Sequence, residues 1–507
     1  MSLSYLELLK LAMPETIVVV TALVVLAVDL LFTRDEPLRA RFSIGAMISI
    51  FGCVAAGAWM YFGPHGNLAA NQVSEELPLL KGMLVVDPLT QLVSVAVLVL
   101  AIFTIVLSVE SNFTSHVGEY LALILLAAVG MLFLVSAEDI LMIFISLELT
   151  SLSLYILTAF NKENIKSAEA ALKYFLFGGM AAAFTLFGLS LIYGLSGSTN
   201  LRDIAAALQG KGLDPLLAVA IVMTVIGFGF KVAAVPFHLW APDAYQGAPI
   251  PSAAFIASGS KVASFFIFAK VMMLGFAGVE GSGAFRHFQN GWVPTLAILA
   301  VFSMLLGNFV AIAQSSVRRL LAYSAIAHAG YMLLGVMTHN GQGMASLLYY
   351  AMTYGLTTIG AFGVVAVVQE RAGDDKISDF AGLARREPVV SLCMMVFMLS
   401  LAGIPPLAGF FGKFYIFSTA ISSGSTNLGL LWLVIFAIAM SVVSLYYYLK
   451  VLKQIYVVEP DGSAATEGAS ALTKTVLVLL ALAVVVLGCA PDLLIGRLLE
   501  TIHAAGL

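Results

Sequence analysis

Long apolar runs, separated by short polar stretches, follow one another along the whole chain. A helix rises about 1.5 Å per residue, so about 20 apolar residues are needed to cross about 30 Å of hydrocarbon. About fourteen runs reach this length, at residues 14–32, 43–62, 88–108, 119–135, 140–160, 168–195, 215–235, 250–276, 293–313, 320–338, 343–369, 389–422, 428–449 and 475–491. The pattern predicts an all-α polytopic membrane protein.

Proline interrupts two of these runs. Pro236 follows the run at 215–235, and Pro405 and Pro406 lie inside the long run at 389–422. Proline lacks a backbone donor and its ring clashes with the preceding turn, so a helix ends or kinks there. Inside a membrane such a break persists only where it is buried in protein or lines a water-filled cavity. We therefore expect a buried, broken helix at each position.

The composition agrees with residence in a membrane. The chain is 61% hydrophobic and 11% charged, whereas soluble proteins are about 45–50% apolar and about 25% charged. A formal net charge of −4 offers no basic face of the kind that nucleic acid requires, so we exclude nucleic-acid binding. No linker, charge block or low-complexity tract marks a second domain, and residues 1–507 are predicted to form a single membrane domain.

The sequence contains no motif for a metal, a redox centre or a nucleotide. Cys53, Cys393 and Cys489 lie far apart within apolar runs, without the paired spacing of zinc, iron–sulfur or disulfide sites. No glycine-rich phosphate loop follows a strand pattern. We therefore predict that this chain binds no cofactor and no metal, and that any electron transfer takes place in other chains.

Basic residues outside the runs are distributed unevenly between the two sides. Of the 25 Lys and Arg, five lie inside runs; with an external N-terminus, fourteen of the others fall in cytoplasmic loops and six on the external side. Cytoplasmic loops of membrane proteins carry an excess of Lys and Arg, so this bias predicts that both termini are external. The six external residues are Lys10, Lys81, Arg202, Lys211, Arg286 and Arg497.

Four ionisable residues lie deep within the predicted spans. A charged side chain at mid-bilayer costs at least about 2.5 to 3.5 kcal/mol, so such residues usually face a bundle interior or a wet cavity. Glu148 and Lys261 lie about 12 and about 16 Å along their helices, while Lys231 and Lys413 lie beside the proline breaks. The alternative for each is a structural helix contact or, for Lys231, a cap on freed carbonyl groups. We favour proton transfer for all four.

Other ionisable residues in the spans allow two interpretations. Lys173 forms an i, i+4 pair with Glu169 and either takes part in proton transfer or extends to the membrane interface. For Lys270, toward the end of its helix, we favour the interface. His238 and His328 are secondary candidates because the unperturbed pKa of histidine, about 6.5, suits proton transfer, although a satisfied polar helix contact is an equal alternative.

A carboxylate and a lysine together can act as a proton switch. Burial disfavours a protonated lysine and a nearby carboxylate favours it, so moving the carboxylate changes how tightly the lysine holds its proton. We expect Lys231 to keep its proton when Glu148 approaches. When Glu148 withdraws, the proton would pass toward Lys261 and then Lys413.

Several segments resemble the antiporter-like membrane subunits of respiratory complex I and of multisubunit cation/proton antiporters. The similarity covers most of the membrane domain and is strongest at residues 147–155, 167–178, 227–263, 318–335 and 401–414. Residues 236–245, Pro-Phe-His-Leu-Trp-Ala-Pro-Asp-Ala-Tyr, belong to it. Lysine at position 413 and Met-Pro-Glu-Thr at 13–16 are similar to the subunit N branch of bacterial NADH-quinone oxidoreductase.

The resemblance implies two inverted five-helix repeats, each with one broken helix, around a hydrated axis of charged residues. Helices 1–3 would lie within 14–118, the first repeat within 119–276, the second within 293–449, and helix 14 at 475–491. The site residues implied by position are Glu148 on the fifth helix, Lys231 on the seventh, Lys261 on the eighth and Lys413 on the twelfth, together with Lys173, His238 and His328.

The resemblance also implies a function. The chain would couple NADH-to-quinone electron transfer in other subunits to proton pumping across the bacterial cytoplasmic (inner) membrane. FMN, iron–sulfur clusters and quinone would be bound by partner subunits, and its partners would be neighbouring antiporter-like and small membrane subunits together with membrane lipid. The alternatives are a subunit of a cation/proton antiporter and a membrane scaffold whose charges only hold helices together.

Overall fold

The structure is a computed structural model that describes residues 12–63, 82–210, 212–285, 287–423, 429–459 and 468–506. Four basic residues used to predict the orientation, Lys10, Lys81, Lys211 and Arg286, lie outside these ranges. Helices predominate within them.

The first half of the described chain runs through eleven helices. They are α1 (Met13–Leu31), α2 (Leu38–Phe62), α3 (Pro88–Ser108), α4 (Val117–Ser136), α5 (Ile140–Thr158), α6 (Ile165–Ser196), α7 (Leu201–Leu208), α8 (Pro215–Lys231), α9 (Trp240–Gly247), α10 (Ile250–Ala257) and α11 (Gly259–Lys270). A π-helical turn, Val271–Gly275, continues α11. A short antiparallel hairpin then pairs β1 (Ser282–Ala284) with β2 (His287–Gln289).

The second half contains α12 to α20 and one short 3-10 helix, Ile377–Phe380. These helices are α12 (Trp292–Ile312), α13 (Val317–Met337), α14 (Gly341–Ala372), α15 (Leu383–Arg386), α16 (Pro388–Ala402), α17 (Ala408–Ser422), α18 (Leu431–Tyr456), α19 (Ala471–Cys489) and α20 (Asp492–Ala504).

The apolar helices account for the predicted spans. Within the described ranges, thirteen helical segments are long and apolar enough to cross a membrane. The shorter apolar helix α16 and the following α17 together occupy the predicted run at 389–422, which supplies the fourteenth span. The predicted all-α polytopic fold is therefore confirmed.

Large apolar side chains on these helices point outward. Phe51 on α2 and Val442 on α18 expose 76% and 67% of their surface. Soluble monomers rarely expose large contiguous apolar patches, whereas hydrocarbon chains solvate such side chains at no cost. The outward faces of the helices are therefore suited to lipid or to neighbouring membrane helices.

The described residues fall into two compact units. Unit 1 lies within Met1–Phe228, Gly247–Val279 and Leu498–Leu507, and unit 2 within Gly229–Gln246 and Glu280–Arg497. Of the predicted site residues, unit 1 contains Glu148, Lys173 and Lys261, and unit 2 contains Lys231, His238, His328 and Lys413.

Both proline breaks occur where the sequence predicts them. α8 ends at Lys231, and α9 begins only at Trp240. α16 ends at Ala402, where Gly403 has a φ of 86°, a conformation that strains any residue with a side chain. The two prolines that follow Gly403 cannot continue α16, and the chain re-enters a helix at α17.

Glu387 joins three segments of unit 2. Its carboxylate lies 2.8 Å from Arg371 Nη2 and 3.0 Å from Lys474 Nζ, and it accepts a hydrogen bond from the Ala469 amide at 2.8 Å. Burial raises the pKa of this carboxyl, but the hydrogen bonds from Arg371, Ala469 and Lys474 outweigh burial and hold the pKa of Glu387 below its usual range. The carboxylate therefore fastens the end of α14 and the segment before α19 to the start of α16.

We predict that Glu387→Gln lowers the stability of the purified protein by about 1–3 kcal/mol at pH 7, because charged hydrogen bonds are lost. A carboxylate whose pKa is lowered by folding stabilises the folded state above its ordinary pKa of 4.5, and this contribution disappears as the pH falls through the lower folded value. Thermal unfolding in detergent should therefore give a midpoint difference that shrinks in acid.

Glu459→Gln is the control for this prediction. Glu459 pairs with Arg385 at 3.1 Å, but the two side chains are 76% and 70% exposed. Exposed pairs contribute about 0–1 kcal/mol, so the control should unfold almost as the unmodified protein does. A midpoint difference for Glu387→Gln that is the same at all pH values would contradict the assigned role.

Candidate functional site

Glu148 is the one carboxylate on α5, about 12 Å from the start of the helix. Its side chain is half-buried. The hydroxyl groups of Thr150 and Ser151 donate back to backbone carbonyls one turn earlier, at 2.9 and 2.5 Å. Both hydroxyls therefore bond within the helix, and Glu148 is the one acidic side chain at mid-length of α5.

Lys231 is the last residue of α8 and is 6% exposed. The alternative role for it was to cap carbonyl groups freed by the break. Other donors already reach two of these carbonyls: Gly229 O accepts from the Ala234 amide at 2.8 Å, and Phe230 O accepts from the Ala233 amide and from Trp240 Nε1, both at 3.0 Å. Backbone amides and the Trp240 indole therefore satisfy these two carbonyl groups at the break.

Lys261 is 2% exposed and lies on α11, every residue of which is buried. The sequence predicts one continuous helix over 250–276, but the structure interrupts it at Ser258, where φ is −117° and ψ is −82°. The Ser258 hydroxyl donates to Ala254 O at 2.7 Å. Serine and glycine favour a helix weakly because a hydroxyl competes for backbone groups and glycine is flexible. The Ser-Gly-Ser run at 258–260 was the signal for this third break, three residues before Lys261.

Lys413 is 5% exposed and bridges the second proline break. Its Nζ donates to the carbonyl oxygens of Leu401 and Ala402, each at 3.0 Å, and to Ser441 Oγ at 2.9 Å. The ammonium also lies 5.2 Å from the ring centre of Tyr331, within cation–π range. At this break the lysine itself donates to the freed carbonyl groups.

A cavity of about 340 Å³ lies beside Lys413, with Ser441 as the other polar residue in its wall. Water occupies about 30 Å³ per molecule in the liquid, so the cavity has space for several molecules. Its remaining lining is apolar. The cavity therefore places the Lys413 side chain beside a space lined mainly by apolar side chains, among them the outward-facing Val442.

The two candidate histidines have different surroundings in unit 2. His238 lies in the break between α8 and α9, is 5% exposed, and within the described ranges its Nδ1 has no hydrogen-bond partner. His328 lies on α13 and is 1% exposed. Both of its ring nitrogens have partners, with Nδ1 2.5 Å from Tyr350 Oη and Nε2 3.0 Å from Tyr448 Oη. The two imidazoles are thus buried, one with an open nitrogen and one between hydroxyl groups.

Lys173 lies on α6 and forms the predicted i, i+4 pair with Glu169, at 2.7 Å. The two side chains are 40% and 62% exposed. Lys173 is therefore the most exposed of the candidate lysines.

Lys270 differs from the expectation that it extends to an interface. Its side chain is only 3% exposed, and its Nζ lies 3.3 Å from Glu138 Oε1 and donates to Ala137 O at 3.1 Å. Arg202 Nε lies 3.4 Å from the other oxygen of Glu138. Glu138 sits in the short turn between α4 and α5, so its approach to α11 depends on tertiary packing that position along one helix does not reveal.

Sequence reasoning missed the polar residues around His328 and Lys413. They lie on four helices and were read as parts of apolar runs, although amide and hydroxyl groups within such runs were a signal for them. These residues are Asn308, Ser324, Tyr331, Tyr350, Ser441, Tyr447 and Tyr448.

Lys270→Met should destabilise the protein by about 3–5 kcal/mol, because it leaves the buried Glu138 carboxylate without its ammonium partner. Lys173→Met removes an equivalent charge from an exposed pair and should cost about 0–1 kcal/mol. The midpoints of thermal unfolding of the two variants, compared in the same detergent, measure the difference. Equal midpoints would show that the ion pair between Lys270 and Glu138 does not contribute this much to stability.

Residues 137–442 match the model of the family described as NADH:quinone oxidoreductase/Mrp antiporter, TM. The matched range covers more than half of the chain and includes all seven predicted site residues.

Two relatives align over most of the chain. It is 51% identical over 500 residues to NADH-quinone oxidoreductase subunit N 2 of Acidobacterium capsulatum, covering 97% of this chain and 98% of that protein. It is 41% identical over 430 residues to NADH-quinone oxidoreductase subunit N of Desulforamulus reducens, covering 84% and 86%.

Solved structures agree with this relationship. A chain of respiratory complex I from Thermus thermophilus with bound aureothin is 31% identical and superposes with a TM-score of 0.77, covering 96% of this chain and 100% of that one. A chain of the Mrp complex from a Dietzia species superposes with a TM-score of 0.81 over 98% and 97%, but at 20% identity it shows the shared fold alone. The family match and the near full-length relatives show that the chain belongs to the NADH:quinone oxidoreductase/Mrp antiporter family of membrane subunits and, within it, to the subunit N type.

Proposed function

We propose that the chain is the proton-translocating membrane subunit of an NADH-quinone oxidoreductase. It would couple NADH-to-quinone electron transfer in other subunits to proton movement through Glu148, Lys231, Lys261 and Lys413. One observation carries the proposal: Lys231, Lys261 and Lys413 are each at most 6% exposed, and each lies at or next to an interruption of a membrane helix.

Helix interruptions supply what a buried lysine needs. A charge far from water is stable only when dipoles, counter-charges or water replace its hydration. Broken helices provide free carbonyl dipoles, and the two carbonyls bonded to Lys413 are an example. A lysine held in this balance has a proton affinity that a nearby charge can raise or lower, which is the requirement for a proton-transfer residue.

The secondary candidates extend this proposal. His238 and His328 would exchange protons within unit 2, and Lys173 would act in unit 1. The switch between Glu148 and Lys231 stays a prediction. Glu138, Lys270 and Arg202 are treated as structural because their charges are already paired with one another.

The proposed setting is the bacterial inner membrane, with both termini external and residues 1–507 forming one membrane domain. Its parts would be helices 1–3 at 14–118, the two repeats at 119–276 and 293–449, and helix 14 at 475–491. FMN, iron–sulfur clusters and quinone would be bound by partner subunits, and this chain would carry out no redox chemistry. Relatives named subunit N at 51% and 41% identity support this setting over that of a cation/proton antiporter.

Lys261→Ala should abolish NADH-driven proton pumping while the complex still assembles, because the variant removes the buried lysine three residues after the break at Ser258. Inverted membrane vesicles with a fluorescent pH-gradient probe measure pumping, and native gels measure assembly. Lys376→Ala, at a lysine whose side chain is 62% exposed, should pump normally.

Two outcomes of this experiment would contradict the proposal. Normal pumping by Lys261→Ala would favour a scaffold in which the charge only holds helices. Sodium-driven proton exchange by unmodified vesicles without NADH oxidation would favour the antiporter alternative.

Lys413→Met should also abolish pumping, because it removes the charge and leaves two buried carbonyl groups without a donor. Ser441→Ala keeps the charge and removes one of three acceptors, worth about 1 kcal/mol, so its pumping rate should fall by less than about tenfold. The same vesicle assay compares the two variants at equal amounts of assembled complex. A larger loss in Ser441→Ala than in Lys413→Met would argue against the lysine as the proton carrier.

A further inference from the structure

Hydroxyl groups form a row with His328 inside unit 2. Tyr350 Oη lies 2.5 Å from Nδ1 of the imidazole, and Tyr448 Oη lies 3.0 Å from Nε2. Ser324 Oγ continues the row at 2.5 Å from Tyr448 Oη. All four side chains are at most 1% exposed. The imidazole therefore lies between two phenol hydroxyls, away from bulk water.

Three helices build this row at mid-membrane depth. Ser324 and His328 are four residues apart on α13 and so share one face of that helix. Tyr350 comes from α14, and Tyr448 from α18. His328 lies about 16 Å from the start of α13 at Val317, near the middle of the 21-residue helix. Such a position is far from water on either side.

We propose that Tyr448 and Tyr350 are further proton-transfer residues of this chain, which pass protons to and from His328, with Ser324 extending the relay. The proposal rests on the function proposed above and adds two residues that neither the sequence motifs nor the family resemblance identified.

In each proton transfer along this row, the group that gains a proton gives up one of its own. A proton arriving on Tyr448 Oη displaces that hydroxyl's own hydrogen to Nε2 of a neutral His328 that carries hydrogen on Nδ1. The resulting imidazolium releases the Nδ1 hydrogen to Tyr350 Oη, and Tyr350 gives its original hydrogen to a water molecule, which the proposal places beside that hydroxyl. Histidine is suited to this step because its two nitrogens take up and release protons near neutral pH. The imidazole must regain its first tautomer before the next proton moves in the same direction.

The far end of the row adjoins the helix of Lys413. The ring of Tyr350 packs against Gly412, where an added Cβ would lie 2.3 Å from Tyr350 Cδ2. Only glycine permits this approach of α17 to α14. The ring of Tyr331, beneath the Lys413 ammonium at 5.2 Å, also contacts His328 edge-on at 5.7 Å between ring centres. The Tyr350 end of the row therefore lies beside the helix that carries Lys413.

A neighbouring group of polar residues has a different role. Asn308 Nδ2 donates to Tyr331 Oη at 3.2 Å and to Met304 O at 2.7 Å, and its Oδ1 accepts from Tyr447 Oη at 3.0 Å. An amide has no second protonation state near neutral pH, so it orients its partners instead of relaying protons. Tyr447 therefore positions Asn308, and its hydroxyl also contacts the hydroxyls of Tyr448 and Ser324.

Tyrosine-to-phenylalanine variants of the assembled complex test the relay, because they keep the ring and remove only the hydroxyl. Tyr448→Phe and Tyr350→Phe should each lower the rate of NADH-driven proton pumping by at least about tenfold, since positioned proton-transfer groups contribute about 10²–10⁴-fold. The matched control is Tyr349→Phe, whose hydroxyl donates to Leu487 O at 2.7 Å outside the row. It should pump as the unmodified complex does.

The isotope effect separates a relay from a structural contact. Residual pumping by Tyr448→Phe and Tyr350→Phe should slow more in D₂O than pumping by the unmodified complex, because proton transfer has become rate-limiting. A hydroxyl that only holds His328 in place would lower assembly or thermal stability and leave the isotope effect unchanged.

The outcomes distinguish this inference from the proposed function. If unmodified vesicles do not pump with NADH, the proposed function itself is wrong. If they pump, and both variants match Tyr349→Phe in rate and isotope effect, only the relay is wrong. Should Tyr448→Phe fail to assemble, Ser324→Ala replaces it: slower pumping with a raised isotope effect supports the relay, and an unchanged rate and isotope effect overturns it.

Discussion

Retaining charged lysines inside an apolar, membrane-spanning protein is the constraint on which the rest of this structure depends. Lys231, Lys261 and Lys413 are almost completely buried, and no bulk water is available at their depth to stabilise an ammonium group. The chain stabilises them with broken helices. At a break, backbone carbonyl groups are no longer bonded within the helix and can accept hydrogen bonds, whereas in an unbroken helix they are already used. An interrupted helix is thus the structural feature that stabilises a buried charge in this protein.

The two proline breaks satisfy their freed carbonyl groups in different ways. At the first, backbone amides and the indole of Trp240 take up the carbonyls of Gly229 and Phe230, and Lys231 stands at the helix end. At the second, Lys413 itself bonds the freed carbonyls. A lysine that is bound to fixed dipoles is held in place. The carbonyl groups at the two breaks therefore have different donors, even though a lysine lies beside a proline at each.

Aromatic hydroxyls add a second kind of polar path to unit 2. In the sequence, His328 and Lys413 are isolated ionisable residues in two different apolar runs. Packing surrounds them with Tyr331, Tyr350 and Tyr448, whose rings fill the apolar interior. The hydroxyls of Tyr350 and Tyr448 contact the imidazole, and that of Tyr331 contacts Asn308. Tyrosine serves both needs because its ring is apolar and its hydroxyl is polar. Dense packing and a polar route are therefore compatible in this part of the protein.

The sequence by itself determined the membrane spans, the two proline breaks and the burial of the central lysines, because run length, proline and charge within an apolar helix act locally. Only the tertiary structure decided that Lys270 pairs with Glu138, that a helix is interrupted at Ser258, and that hydroxyl groups surround His328. The partners of Lys270, and one of the two hydroxyl partners of His328, lie more than 100 residues away along the chain. Which side chains meet across such distances depends on how helices pack, and the period and polarity of a single helix contain no information about its neighbour.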